Sequence, residues 1–466
     1  MGLRGYYRPN NLQPALFVEY LFNFILNDKQ KHIVVVGAGP GGLTAAMLLG
    51  ARGFRVTLVE KDSTLGGRNA AIDLNGYKFD TGPTFLMMKF ILDEVFEEAG
   101  RASDDYLDFV KLEPMYRLAF DQATIEPTTD HAAMREQIAR VFPGNEEGFD
   151  RFLEKEQVRY DKMYPCLQKD YTSLSRYFSK EMIRALPHLG LGQSVMDILK
   201  GYFDEDELRL AFTFQSKYLG MSAWECPGAF AMLPFVEHAH GIYHTQGGLS
   251  EISEAMAKVC REYGVEIRLN SPVKELVLEG RAVKGVELES GEVIHADETV
   301  LNADFGYAME HLVPKGVLKK YRPEKLRNMD FSCSTFMLYL GLDKVYDLPH
   351  HTIFFAKNYR QNIEDVFQYK KLSDEISFYV RNASVTDPNL APEGHSAVYV
   401  LVPVPNLTAE VDWAAEKEAF REKVLQAMET KGEMTDLRDH IQEEMVLTPD
   451  DWEAKGIYQG ATFNLS

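Results

Sequence analysis

His32-Ile33-Val34-Val35-Val36-Gly37-Ala38-Gly39-Pro40-Gly41-Gly42 is the stretch that decides the fold. Its first five residues are mostly β-branched and suit a strand buried on both faces of a parallel sheet. They run directly into a G-x-G-x-x-G turn. Residues 43–52 have helical character, and Gly53 stands where the left-handed residue after a helix belongs. Residues 55–59 (RVTLV) form a second strand that ends in Glu60. Each position has a physical task. Gly37 permits the tight turn, Gly39 lets a pyrophosphate approach the backbone, and Gly42 lets helix and strand pack closely. Ala38, Pro40 and Gly41 complete a turn whose free N–H groups, at a helix N-terminus, favour phosphate. Glu60 comes eighteen residues after Gly42, with Lys61 beside it, and is placed to accept hydrogen bonds from a ribose. A carboxylate there repels a 2′-phosphate, which disfavours NADP.

FAD and NAD share this fingerprint. The choice rests on Leu65-Gly66-Gly67-Arg68 and on Asp80-Thr81-Gly82-Pro83-Thr84. This pair resembles the second glycine motif and the D-x-G-P-T segment of FAD-dependent desaturases and amine oxidases. The resemblance continues through Tyr218-Leu219-Gly220-Met221-Ser222, Pro234-Phe235-Val236-Glu237, Gly247-Gly248, Val273 and Asn302-Ala303-Asp304. It ends on Thr448-Pro449-Asp450-Asp451-Trp452 and Gly460-Ala461-Thr462-Phe463. In order and extent, from about residue 32 onward, these segments resemble the phytoene desaturases, the bacterial-type carotenoid desaturases.

That resemblance implies an α/β fold: an FAD-binding Rossmann-like domain of the glutathione reductase and amine oxidase type, with an inserted α+β substrate domain. It implies FAD as cofactor, with Gly66, Gly67, Arg68, Gly82, Pro83 and Thr84 around its second phosphate and ribityl chain. Val273 would meet the adenine end through its backbone, with Asn302 and Ala303 re-entering the site. Desaturation would send a hydride to the flavin N5 and release a proton. A lipophilic, phytoene-like polyene is the expected substrate, and oxygen or a quinone the electron acceptor. In the family a further flavin-contacting segment follows the G-A-x-F region, so the chain is expected to be truncated by a few tens of residues.

A chain of 466 residues exceeds the size at which one hydrophobic core stops growing. The expected division is 1–31, a leader of uncertain role; 32–100, flavin domain; 101–245, a helical insertion facing substrate and membrane; 246–305, flavin domain again; 306–445, substrate domain; and 446–466, the start of a closing flavin-domain segment. Residues 15–26 are apolar but too short to span a bilayer. The leader is either disposable or a helix touching a membrane or partner. A net charge of -20 excludes nucleic acid, which requires clustered Lys and Arg. Cys166, Cys226, Cys260 and Cys333 form no C-x-x-C pair, so no metal site is expected, and a reducing cytoplasmic compartment is the simplest reading.

For acid–base chemistry the candidate is Glu237, with His238, His240 and His244 nearby. Residues 176–203 interleave Arg176, Lys180, Arg184 and Lys200 with Tyr177, Phe178, Met182, Ile183, Leu186, Leu189 and Leu191. In an acidic chain this stretch is either a plain surface helix pair or a peripheral membrane contact. Three further readings stay open: another carotenoid oxidoreductase or isomerase, a flavin amine oxidase, and a non-enzymatic binder of prenylated proteins sharing the fold.

Overall fold

The computed structural model describes residues 31–465; the expected leader and its apolar run lie outside them. Strand β1 (His32–Val36) leads into helix α1 (Pro40–Ala51), and the chain returns as β2 (Arg55–Val59). Pro40 opens α1, where a missing N–H costs nothing, and Gly53 follows it with φ +87°. Far along the chain, helix α2 (Ser250–Glu262), β3 (Glu266–Arg268) and β4 (Glu298–Leu301) complete the layer. All four strands run parallel in the order β3-β2-β1-β4.

Alternation along β1 decides what covers each face. Ile33 and Val35 pack with Leu43 and Met47 of α1 and Ala255 and Val259 of α2. Val34 and Val36 pack against Val286, Leu288 and Leu312 on the other side. Val286 and Leu288 belong to an antiparallel hairpin, Val273–Glu279 with Ala282–Leu288, which turns at Gly280-Arg281.

The second layer is a seven-stranded sheet. Its main strands are β5 (Ser334–Leu342), β6 (His351–Phe354), β7 (Phe378–Asn382), β8 (Ser396–Val404) and β9 (Ile441–Leu447). The order is β9-β5-β8-β7-β6, continued by Arg117–Ala119 and Thr124–Ile125. Phe336, Leu338 and Leu340 of β5 and Val398, Val400 and Val402 of β8 bury against Trp413, Phe420 and Val424 of helix α3 (Trp413–Thr430). Met337, Tyr339, Tyr399 and Leu401 turn to the opposite face, against Tyr77, Phe79 and Trp452.

Residues 101–245, expected to be helical, contain two long helices, His131–Val141 and Glu146–Leu167, broken at Phe142-Pro143-Gly144. They also contain Arg117–Ala119, which pairs in parallel with β6 and so joins this stretch to the later sheet. The boundary expected at 445 falls inside β9. Three residues carry too little periodicity to register as a strand, and their partner lies more than two hundred residues away.

A buried polar network couples the two layers. Asp80, at the end of strand Tyr77–Asp80, pairs with Arg381 of β7 at 2.8 Å and accepts from the Ser250 N–H at 3.0 Å. Gly248 turns beside it with φ +98°, where a Cβ would lie 2.8 Å from the Asp80 carboxylate. Arg381 donates to His244 Nδ1 at 3.3 Å, and His244 Nε2 donates to Asp387 at 3.1 Å. An arginine only donates and a carboxylate only accepts, so this pattern defines a neutral His244 carrying its proton on Nε2. Burial, with Arg381 beside it, holds its pKa below the usual range. Replacing Arg381 by Met leaves Asp80 buried and unpaired, and a loss of about 3–5 kcal/mol is expected in denaturant unfolding; a loss under about 1 kcal/mol would contradict the coupling role.

Candidate functional site

The glycine turn at the end of β1 is built around Asn302, whose N–H donates to the Val36 carbonyl at 2.8 Å. At Gly37 (φ +95°) a Cβ would sit 2.2 Å from the Asn302 carbonyl; at Gly41, 2.7 Å from the Asn302 amide; at Gly42, 1.9 Å from the Gly37 carbonyl. Gly39 differs. Its backbone is extended, and a Cβ there would meet only protein atoms at 3.7 and 3.9 Å. Nothing inside the protein demands glycine at that position. The demand comes from the open side, where the first N–H groups of α1 face outward.

The second glycine pair closes over the first. The Gly66 N–H donates to the Ala38 carbonyl at 2.9 Å, Gly66 and Gly67 are both left-handed, and a Cβ at Gly82 would press on the Arg68 carbonyl at 2.7 Å. Arg68 pairs with Asp304 at 2.5 Å while its buried Nε has no hydrogen-bond partner. Thr462 Oγ1 is likewise buried without a partner. Pro83 and Thr84 follow Gly82 along the wall of an adjoining cavity.

Glu60 is buried, and its carboxylate accepts from the Ala38 N–H at 2.7 Å and the Asp62 N–H at 3.0 Å. Each oxygen retains a lone pair for a ribose hydroxyl. The Glu60 carbonyl accepts from the Ser271 N–H at 2.8 Å, which brings the segment ahead of Val273 to the same end of the sheet. Lys61 is exposed and pairs with Asp62 at 2.9 Å. Ala303 is half-buried beside Asn302. These residues form one continuous cradle. An unpartnered arginine Nε, a glycine required only from outside and a free helix N-terminus all fit a dinucleotide cofactor.

Beyond the cradle lies a cavity of about 520 Å³. Arg68, Thr84, Phe85 and Met87 line one side; Met337, Tyr379, Tyr399 and Leu401 of the large sheet line another. Arg68 is the only charged residue on its wall among those described. Tyr379 bonds to Thr84 at 2.8 Å and to His351 Nδ1 at 2.6 Å, and Phe85 stacks on the His351 ring at 4.1 Å. Burial pushes the Tyr379 phenol up and holds His351 well below its ordinary value, so both stay neutral.

Glu237, expected to accept a proton, does not line this cavity. It is fully buried behind the wall, where its carboxyl accepts from the Tyr116 O–H at 2.6 Å and the Gln215 amide at 2.7 Å. Burial raises its pKa to about 7 against the lowering by those two hydrogen bonds. His238 is buried and bonded to the Thr128 carbonyl, with burial lowering its pKa to about 4. His240 packs between Phe90 and Tyr160. His244 belongs to the interlayer network, and none of the three lines the cavity. Sequence reading missed Tyr379, Tyr399 and Met337 on the wall. Their signal was the alternation of β5, β7 and β8, which does not say what each face meets.

Residues 40–466 match the model of the flavin containing amine oxidoreductases. A 4,4'-diapophytoene desaturase (4,4'-diapolycopene-forming) of Methylomonas sp is 53% identical over 94% of this chain and 86% of its own length. An all-trans-zeta-carotene desaturase of Myxococcus xanthus is 37% identical over 94% of this chain and 84% of its own. In structure, a putrescine oxidase variant superposes with a TM-score of 0.57 at 14% identity, over 92% of this chain and 86% of the oxidase. FAD is therefore the cofactor, on the amine oxidase fold. The isomerase, amine oxidase and binder readings are not favoured by these relatives.

Gly42→Ala forces an overlap with the Gly37 carbonyl, so protein purified with this change is expected to lack the flavin absorbance band. Arg68→Ala should retain flavin about tenfold or more weakly, since a buried hydrogen bond to a charged group is lost; wild-type flavin content in either variant would contradict the cradle. The folded Glu237 carboxyl keeps its proton up to about 7, whereas an unfolded glutamate releases it near 4.5. Its contribution to stability is thus fullest below pH 4.5 and falls as pH rises to about 7, by on the order of 3 kcal/mol. Chemical unfolding across that window should show the wild type losing stability relative to Glu237→Gln.

Proposed function

From a chain that belongs to the flavin containing amine oxidoreductases and, within them, to the carotenoid desaturases, we propose an enzyme that desaturates an acyclic polyene of the phytoene or diapophytoene type. The observation that carries this reading is the cavity beside the cradle, lined mostly by apolar side chains, with Arg68 at its cradle side the only charged residue among those described. A long hydrocarbon offers no hydrogen-bonding group. It has to be held by shape and by exclusion of water.

When bound, FAD supplies the hydride acceptor at its N5, and the second hydrogen leaves as a proton. Gly37, Ala38, Gly39, Pro40, Gly41 and Gly42, with the N-terminus of α1, would hold its pyrophosphate, with Asn302 and Ala303 shaping that turn. Glu60, beside Lys61, would accept from its ribose, and Val273 would serve the adenine end through its backbone. Gly66, Gly67, Gly82, Pro83 and Thr84 would hold its ribityl side, and Arg68 Nε would donate to it. Tyr379, Tyr399, Met337 and Leu401 press the polyene toward the cradle and exclude water. Glu237 acts from behind the wall, by position. Oxygen or a quinone takes the electrons.

Such a substrate dissolves in lipid, and one surface suits a bilayer. Leu174, Phe178 and Leu191 are 81%, 76% and 74% exposed, and Leu167, Tyr177, Ile183 and Leu186 stand out beside them. Exposed large apolar side chains at this density mark an interaction surface. Lys180 and Arg184 are exposed among them. No helix among the described residues is long and apolar enough to cross a membrane. The enzyme would rest on the cytoplasmic face of the membrane as a peripheral protein.

Incubating the flavin-loaded protein with phytoene or diapophytoene in liposomes should give products with longer conjugation, read by chromatography and visible absorbance. No conversion of either polyene would reject desaturation. Changing Arg176, Lys180 and Arg184 to Glu should abolish flotation with anionic liposomes; undiminished flotation would reject the docking surface.

A further inference from the structure

A polyene that is desaturated more than once must move past a fixed reacting position, so the depth of the cavity beyond that position limits its travel. The cavity is lined by Arg68 and Phe463, near the cradle, and by Phe214 and by Ile353 of β6, both part of one buried core that also takes in the helices His131–Val141 and Glu146–Leu167. Phe214 opens the turn Phe214–Leu219 and packs edge-on against Tyr116, ring centroids 4.9 Å apart. Tyr116 also meets Phe85 edge-on at 6.1 Å, and Phe85 in turn stacks on His351. Phe85 and Phe214 thus stand on the cavity wall with Tyr116 packed edge-on behind both of them.

Behind them the wall is pinned by polar contacts. The Tyr116 hydroxyl donates to Glu237 at 2.6 Å. The Gln215 amide donates to Glu237 at 2.7 Å and to the Tyr116 oxygen at 3.3 Å. Gln215 is the chain neighbour of Phe214, so one buried carboxyl fixes both the ring that backs Phe214 and the turn that carries it. Aromatic rings with few rotatable bonds, locked from behind, make a stop that does not yield as a flexible Met or Leu would. A polyene stiffens with each double bond gained, so it cannot fold back at such a stop.

We propose that Phe214 is a specificity-determining residue: with Phe85 and Tyr116 it forms the backstop that sets how long a polyene enters and how many of its bonds reach the flavin. Glu237 is the positioning residue that holds this backstop. The proposal rests on the desaturase reading of the same cavity.

The test uses flavin-loaded wild type, F214A, F214L and E237Q, each offered phytoene and its shorter diapo relative in liposomes. The ratio of the two rates and the number of double bonds in the products are followed. F214A is expected to shift the rate ratio toward the longer polyene by about tenfold, the scale on which pocket volume discriminates apolar substrates. F214L should shift it less. E237Q, with Phe214 still present, should broaden the product pattern. General damage lowers both rates together and leaves their ratio unmoved, so an unmoved ratio and an unchanged product pattern overturn the proposal; if F214A does not fold, F214L carries the same test. If the wild type converts neither polyene, the desaturase reading falls and this inference with it; wild-type conversion with unresponsive variants removes the backstop alone.

Discussion

The buried pairing of Asp80 with Arg381 is the interaction on which the arrangement of this protein depends. It joins the strand that leads into the Thr81-Gly82-Pro83-Thr84 wall to the strand β7 that carries Tyr379. Arg381 pairs directly with Asp80 and reaches a second buried carboxylate, Asp387, through His244, an arrangement of buried charges that is unfavourable unless well hydrogen-bonded. The excess is absorbed by oriented donors: the N–H groups of Gly247 and Ser250 and the Nε2–H of a neutral His244. The Gly247-Gly248 turn exists to present those donors, since a side chain at Gly248 would collide with Asp80. The cavity between the layers keeps its shape because the layers are fixed to each other at this network, with Tyr339, Tyr379 and Tyr399 of the large sheet bonding to the adjoining residues Thr81, Thr84 and Gly82.

The two halves of the site follow opposite electrostatic rules. The cradle is assembled from backbone N–H groups, a helix N-terminus and an arginine with an unpaired Nε, all suited to negative charge. The cavity wall is neutral by burial: its tyrosines are pushed up, and His351 behind them is held down, so no charge competes with an apolar chain. Arg68 stands at the junction, salt-bridged to Asp304 and open to the cavity.

Glu237 shows how the same residue reads differently in one dimension and in three. In sequence it stands beside Val236 and His238 in a segment matching a catalytic family, and a carboxyl there suggests proton transfer. In the fold its helix turns it away from the cavity and into a pocket shared with Tyr116 and Gln215, residues 121 and 22 positions distant. Its raised pKa has the same origin as its structural value, complete burial with only two donors. A perturbed carboxyl marks an environment, and only geometry assigns it a task.

The sequence by itself determined the strand–glycine turn–helix–strand unit at 32–60, because it depends on local chemistry. Gly37 and Gly42 are read from turn sterics, Glu60 from its spacing to the glycines, and β1 from an unbroken β-branched run. The helix break at Phe142-Pro143-Gly144 is local in the same way. Only the tertiary structure decided that Arg117–Ala119 joins β6, that Asp80 meets Arg381, and that Tyr116 packs edge-on behind Phe85 and Phe214 on the cavity wall. Those contacts join segments about thirty to three hundred residues apart, and no local preference encodes which partner a half-buried strand or ring will find. Packing two layers around a shared polar network made that choice.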